Sequence, residues 1–162
     1  MNKNEESDLT LVFENDFIAG VKQVFEELIV FNRVLGLKVV SLQPDFVTAS
    51  IAMKPELVGH FSFNRVHGGV ISACLDTLGG LAVMAALGAR HMDETVAQRL
   101  QRFSKLGTID LRVDYLRPSI GEHFTMRAEV MRLGSRVAST RMEFMGADGK
   151  LLATGSAAYI VS

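Results

Sequence analysis

The sequence predicts an α+β fold: a long central helix wrapped by a curved antiparallel β-sheet, with an added helix near the N-terminus. Three observations carry this. The run Val70–Leu87 is apolar or small at almost every position, the signature of a helix buried on all sides. After Leu106 four stretches alternate apolar and polar residues with period two, separated by turn residues, as half-buried strands do. Residues 15–31 carry an amphipathic stripe of helical period. At 162 residues the chain suits one domain with a sizeable core.

The polar, acidic start MNKNEESD lacks the charged and apolar regions of a signal peptide. Residues 1–13 are expected to form a flexible leader and 14–162 a single domain. Asn15 is placed to cap a helix running to about Phe31, with Phe17, Ile18, Val21, Val24, Phe25, Leu28 and Ile29 on its apolar face. GLKVVSL and FVTASIAM, divided by Gln43-Pro44-Asp45, read as two antiparallel strands. Residues 54–67 read as an irregular loop before the central helix. That helix, 18 residues from Val70 to Leu87, would be about 27 Å long. In the segment 89–106, Met92, Val96, Leu100 and Phe103 fall near helical spacing, with Asp93 able to cap. Arg99, Arg102 and Lys105 make this segment basic: either a solvated helix face, or cations that meet the phosphates of a large substrate. The last four strands, around Ile109–Tyr115, Phe124–Val130, Met142–Phe144 and the run LLATGSAAYIV, read as a meander. A sheet with one apolar face would bury the helix by curling around it.

Composition narrows the chemistry. A net charge of −1 gives no nucleic-acid footprint. Cys74, the single cysteine, cannot form an intrachain disulfide, which fits a reducing compartment. The apolar run approaches membrane-span length, but its central Asp, its glycines and the lack of a second such run favour a soluble core helix. A soluble, cytoplasmic protein is expected, without membrane insertion. No G-x-S-x-G elbow, metal-ligand cluster or phosphate loop occurs in the sequence.

Asp76 is the only Asp, Glu, Lys, Arg or His between Val70 and Leu87. Burying an unpaired carboxylate costs several kcal/mol, in order of magnitude, so its presence needs a reason. The pair Gly68-Gly69 just before the apolar run suggests one, because exposed N–H groups at a helix N-terminus hold an oxyanion. A base and an oxyanion site suffice for acyl chemistry. Gly68 and Asp76 are eight residues apart, about 12 Å along a helix, too far to serve one carbonyl carbon easily within a chain. A two-fold partner with its helix antiparallel would bring one protomer's Asp76 to the other's Gly68 and create two equivalent sites.

The residues His67-Gly68-Gly69, Asp76 nine positions after the His, and the strand Thr108-Ile109-Asp110-Leu111-Arg112-Val113-Asp114-Tyr115-Leu116-Arg117-Pro118 together resemble the hotdog-fold acyl-CoA thioesterases, in particular the PaaI-like, phenylacetate-pathway branch. The resemblance spans about residues 35–160. It implies Asp76 as the catalytic carboxylate, the Gly68 N–H as oxyanion donor, a hydroxyl at Thr108, and an obligate homodimer, with pairing of dimers into tetramers left open. Many members carry an Asn six residues before the His; here that position is Phe61, while Asn64 lies three and His60 seven residues before His67. Gly69, Asn64, His60, Arg99 and Arg102 are the candidate substrate-binding residues. His67 either fixes the loop by bonding backbone carbonyls or takes part in the chemistry, and Thr108 is either a surface residue or a water-positioning hydroxyl. The long segment between helix and strand resembles the variety acting on medium- and long-chain acyl-CoA. No cofactor or metal is implied; coenzyme A enters as part of the substrate. Two other readings stay open: an acyl-thioester dehydratase or hydratase, and a non-catalytic acyl-CoA-binding sensor.

Overall fold

A computed structural model describes residues 12–162. The first eleven positions of the expected leader lie outside the described residues. Phe13, also within it, is buried against Phe17, with ring centroids 4.9 Å apart, so core packing reaches into the stretch expected to be loose.

The centre of the fold is a 23-residue helix, α3 (Gly68–Arg90), longer at both ends than the apolar run. Although α3 is long and apolar enough to cross a bilayer, 67% of its most apolar window is buried by this same chain, as in a core helix. The sheet around it contains β1 (Lys38–Leu42), β2 (Phe46–Ala52), β5 (Gly107–Tyr115), β6 (His123–Leu133), β7 (Val137–Gly146) and β8 (Leu151–Ile160). All neighbouring strands are antiparallel, in the order β1-β2-β6-β7-β8-β5. Alternate residues point at the helix and are buried: Val47, Ala49 and Ile51 on β2, Phe124, Met126 and Ala128 on β6, Met142 and Phe144 on β7.

The expected four-strand meander holds only for β6-β7-β8. β5 pairs with β8 at the sheet edge instead of with β6. The stretch 116–122 between β5 and β6, with Pro118 in it, is not a hairpin turn. It crosses the end of the sheet, where the Val66 N–H bonds the Ser119 carbonyl at 3.0 Å and the Met53 N–H the Glu122 carbonyl at 2.7 Å. The loop expected over 54–67 contains a short 3₁₀ turn (Pro55–Leu57) and a small pair of strands, β3 (Val58–His60) and β4 (Arg65–Val66).

Glu14 rather than Asn15 occupies the N-cap position of the N-terminal helix, without a side-chain capping bond, and this is not one straight helix. α1 (Asn15–Lys22) runs into a π-helical stretch, Gln23–Leu28, which ends at Ile29 in extended conformation before α2 (Val30–Leu35). The Ile29 N–H reaches the Val24 carbonyl, five residues back, at 3.0 Å. That wider turn shifts the apolar stripe: Phe17, Val21 and Phe25 are buried, whereas Leu28 is 64% exposed.

The segment after α3 forms α4 (Val96–Gln101) and a 3₁₀ turn, Arg102–Lys105. Thr95, not Asp93, caps α4, in a capping box with Gln98. The expectation that Arg99 meets substrate phosphates is overturned. Arg99 is 1% exposed, its guanidinium lies 4.6 Å from the Phe17 ring centre, and one Nη bonds Glu14 at 2.5 Å. Its apolar stem and charge staple α4 to α1. Arg102 is engaged too, its Nε 2.8 Å from Glu94.

Arg99, chiefly by its hydrogen bond, holds the Glu14 carboxyl below the usual carboxylate range. A group whose pKa falls on folding stabilises above its unfolded value, 4.5 for Glu14, and loses that contribution as pH drops through the folded value. Glu14→Gln should therefore melt below the parent at pH 7, with the gap closing as pH falls under 4.5. Thermal melts from pH 7 to pH 3 check this, and a gap that stays constant would refute it.

Candidate active site

Not all of α3 is enclosed. Gly69, Ser72, Ala73, Asp76 and Thr77 form a stripe of helical period that is exposed or half-buried, while Leu78 to Ala85 are buried. Asp76 is therefore half-buried on the open side of the core helix, not sealed inside it. Its carboxylate Oδ1 accepts a hydrogen bond from the Thr108 hydroxyl at 2.8 Å. Among the described residues nothing bonds Oδ2.

Thr108 reaches Asp76 because β5 contains a bulge. Strict alternation would put Thr108 on the face opposite Leu111. In the structure Thr108 pairs with Tyr159 and Leu111 with Ala157, while the register slips between Thr108 and Asp110. Ile109 is the extra residue and is 57% exposed. Opposed residues share a face, so the bulge turns Thr108 toward α3, beside the buried Tyr159.

Tyr159 was not among the residues singled out from the sequence. Its hydroxyl donates to the Asp76 main-chain carbonyl at 2.7 Å and lies 3.3 Å from Oδ1. Burial, then the nearby Asp76 charge, pushes the Tyr159 pKa up, so it stays a neutral donor. Its signal in the sequence is Gly79-Gly80: glycine inside a helix costs about 1 kcal/mol against alanine, which an ordinary core helix would avoid. A Cβ at Gly79 would run into the Tyr159 hydroxyl and come within 2.9 Å of Cζ.

At the start of α3, His67 is the N-cap, and its Nδ1 accepts the Gly69 N–H at 2.8 Å. His67 thus holds the helix start by accepting a backbone N–H, not by donating to the carbonyls expected from the sequence, and the proton of a neutral ring sits on Nε2. A Cβ at Gly69 would lie 2.9 Å from that Nδ1, so the cap requires glycine. With Gly69 engaged, the Gly68 N–H is the donor without an acceptor among the described residues. The Tyr115 hydroxyl, at the far end of β5, donates to the Gly68 carbonyl at 2.7 Å and ties the helix start to the sheet.

The structure brings Asp76 and Thr108 together and leaves Gly68 apart. Asp76 lines a cavity of about 140 Å³ with Thr108, Tyr159, Phe25 and Phe103. Gly68 lines another, of about 370 Å³, with Ile71, Tyr115, Arg65 and Arg117. Asn64 sits exposed with φ 45° between β3 and β4, beside a third cavity. His60 stacks on Phe61 at 5.5 Å and meets Phe63 at a tilt at 4.8 Å. Neither of them, nor Arg99 or Arg102, lines the Asp76 cavity. The Cys74 thiol, pushed up to about 12 by burial, is no nucleophile at neutral pH.

Residues 63–153 match the sequence model of the thioesterase superfamily. The chain belongs to that superfamily. The match is to the superfamily as a whole and does not single out the phenylacetate-pathway branch. The chain is 36% identical over 141 residues to the medium/long-chain acyl-CoA thioesterase YigI of Escherichia coli, covering 87% of this chain and 91% of that one. A crystal structure from Shewanella oneidensis, described as related to the thioesterase superfamily, superposes with a TM-score of 0.85 at 41% identity over 91% of this chain and 96% of the other. The thioesterase HI1161 of Haemophilus influenzae, 20% identical with a TM-score of 0.71 over 93% and 92% of the two chains, shares the fold. The hotdog architecture expected from the sequence is therefore the one found.

The Gly79–Tyr159 fit sets opposite expectations for one substitution. Gly79→Ala would gain helix propensity in a free helix. Here the collision should win, with a net loss of about 1–3 kcal/mol, read as a lowered melting temperature and weaker activity. A stabilised variant would show that Tyr159 does not occupy this place.

Proposed function

We propose that this protein is a soluble, cytoplasmic acyl-CoA thioesterase, acting on medium- or long-chain fatty acyl groups from a site shared between two protomers. The observation carrying this reading is the carboxylate of Asp76, fixed through one oxygen by Thr108 and free at the other, bordering a cavity with apolar walls. Its name makes the Escherichia coli relative a thioesterase for medium and long chains, in keeping with those walls.

In this mechanism Asp76 Oδ2 takes a proton from water, and the water oxygen attacks the thioester carbonyl carbon. Negative charge on the carbonyl oxygen is met by the Gly68 N–H of the second protomer, at the positive end of its helix. The intermediate collapses, the carbon–sulfur bond breaks, and CoA leaves as a thiolate of pKa about 8.5, needing little acid assistance. The proton held by Asp76 returns to solvent or to the departing sulfur. Free acid and CoA are the products. The alternative of direct attack by Asp76 through an anhydride places solvent oxygen on Asp76 when water opens the anhydride at the Asp76 carbon: a single turnover in heavy-oxygen water should label the product acid and leave the Asp76 peptide unlabelled, and label in that peptide would show the anhydride route.

Two features support the dimer. Asp76 and Gly68 border different cavities of one chain. β5 is a nine-residue edge strand with one side unpaired among the described residues, which natural proteins rarely leave open. A two-fold pairing along this edge would cover it together with the open stripe of α3. Dehydration chemistry finds less support, since no His among the described residues lines the Asp76 cavity.

Asp76→Asn should lower kcat by ~10²–10⁴-fold while acyl-CoA still binds; a protein that binds acyl-CoA but never turns it over would be a sensor instead. Gly68→Pro removes the proposed donor at the helix position where proline is best tolerated, and should cost ~10²–10³-fold in kcat. Mixing Gly68→Pro chains with Asp76→Ala chains should restore about a quarter of the parental sites, because half the dimers are mixed and each holds one intact site. Absence of rescue after subunit exchange would place the whole site within one chain.

A further inference from the structure

The cavity beside Asp76 is not built by the helix and sheet alone. Its apolar wall comes from two segments added to them: Phe25 and Ile29 from the π-helical stretch and its end, and Phe103 and Leu106 from the 3₁₀ turn before β5 and the residue after it. Phe25 and Phe103 meet edge to face, with centroids 5.3 Å apart and planes at 66°. We infer that this wall receives the alkyl chain of the substrate, and that Phe103, backed by Phe25, determines which chain length is accepted. The inference rests on the thioesterase reading above and assigns the specificity of that same site.

Three observations support it. First, the wall is apolar throughout, and among the described residues Asp76 is the one acidic or basic side chain lining the cavity, at the side shared with Thr108. An alkyl group against the wall thus has its carbonyl end toward the carboxylate. Second, the wall is held from behind. The buried Asn32 donates to the Phe25 carbonyl at 2.9 Å and accepts from Thr77 at 3.1 Å. That carbonyl belongs to the irregular stretch and the bond fixes it to α3, one residue beyond Asp76. Arg99, through Glu14 and Phe17, clamps the other added segment to the first. Third, the floor of the cavity is Gly80. A Cβ there would meet Leu106 Cδ2 at 3.5 Å and Tyr159 Cε1 at 3.9 Å, ordinary contacts. The helix therefore leaves room for one methyl group at the place a chain would cross, at the cost of helix propensity.

The test is a panel of saturated acyl-CoA esters from butyryl to stearoyl, with thiol release followed for three proteins. In the parent, kcat/KM should rise with chain length to a maximum. Phe103→Ala should move that maximum to longer chains. Gly80→Ala, which narrows the cavity and favours the helix, should cut kcat/KM for the parent's best substrate by ~10-fold relative to butyryl-CoA, in line with the worth of one methylene in an apolar pocket. Should Phe103→Ala fail to fold, Gly80→Ala alone decides. Equal loss at every chain length, or an unchanged profile in an active Gly80→Ala protein, overturns the inference and leaves the thioesterase reading intact. A parent that hydrolyses none of these esters overturns the thioesterase reading, and this inference with it.

Discussion

The whole molecule answers one constraint: an apolar helix of 23 residues must be kept from water. A single antiparallel sheet does this by curling around it, and the side chains from β2, β6, β7 and β8 that point inward are small or apolar almost without exception. A sheet with free edges cannot sheath a cylinder on every side. The uncovered strip of α3 runs from Gly69 to Thr77, and Ser72, Asp76 and Thr77 lie along it. The carboxylate thereby escapes the full desolvation cost of a sealed core yet remains beside apolar walls.

Secondary structure was largely legible in the sequence, because both periodicities are strong. The central helix, the β1–β2 hairpin and the β6–β8 meander follow from patterns of burial that repeat every 3.6 or every two residues. What escaped were departures from period. The bulge at Ile109 inverts the facing of Thr108, and alternation alone assigns that residue to the wrong side. The π-helical stretch breaks the stripe of the first helix, so Leu28 is exposed where a regular helix would bury it. The pairing of β5 with β8 depends on how far the sheet curls, a property of the assembled layer rather than of any local segment.

The candidate site was legible where a residue is chemically out of place and illegible where it looks ordinary. Asp76 stands out amid apolar neighbours, and the glycines before α3 point to close backbone approach. Tyr159 reads as one more strand aromatic until its hydroxyl is found on the Asp76 carbonyl. Arg99 misled for the converse reason. A basic helix reads as a solvated or ligand-binding face, whereas this guanidinium is buried on Phe17 and neutralised by Glu14, 85 positions earlier in the chain. Long-range ion pairs of that kind leave no spacing to recognise.

One consequence of the appended segments concerns how such proteins diverge. The carboxylate and the hydroxyls that steady it sit on the rigid helix and sheet, while the greasy lining belongs to pieces docked onto them from outside. On the proposed function, insertions or replacements in those pieces can remodel the lining without disturbing the carboxylate and its hydroxyl partners, so a lineage is free to change its diet while its chemistry stays constant.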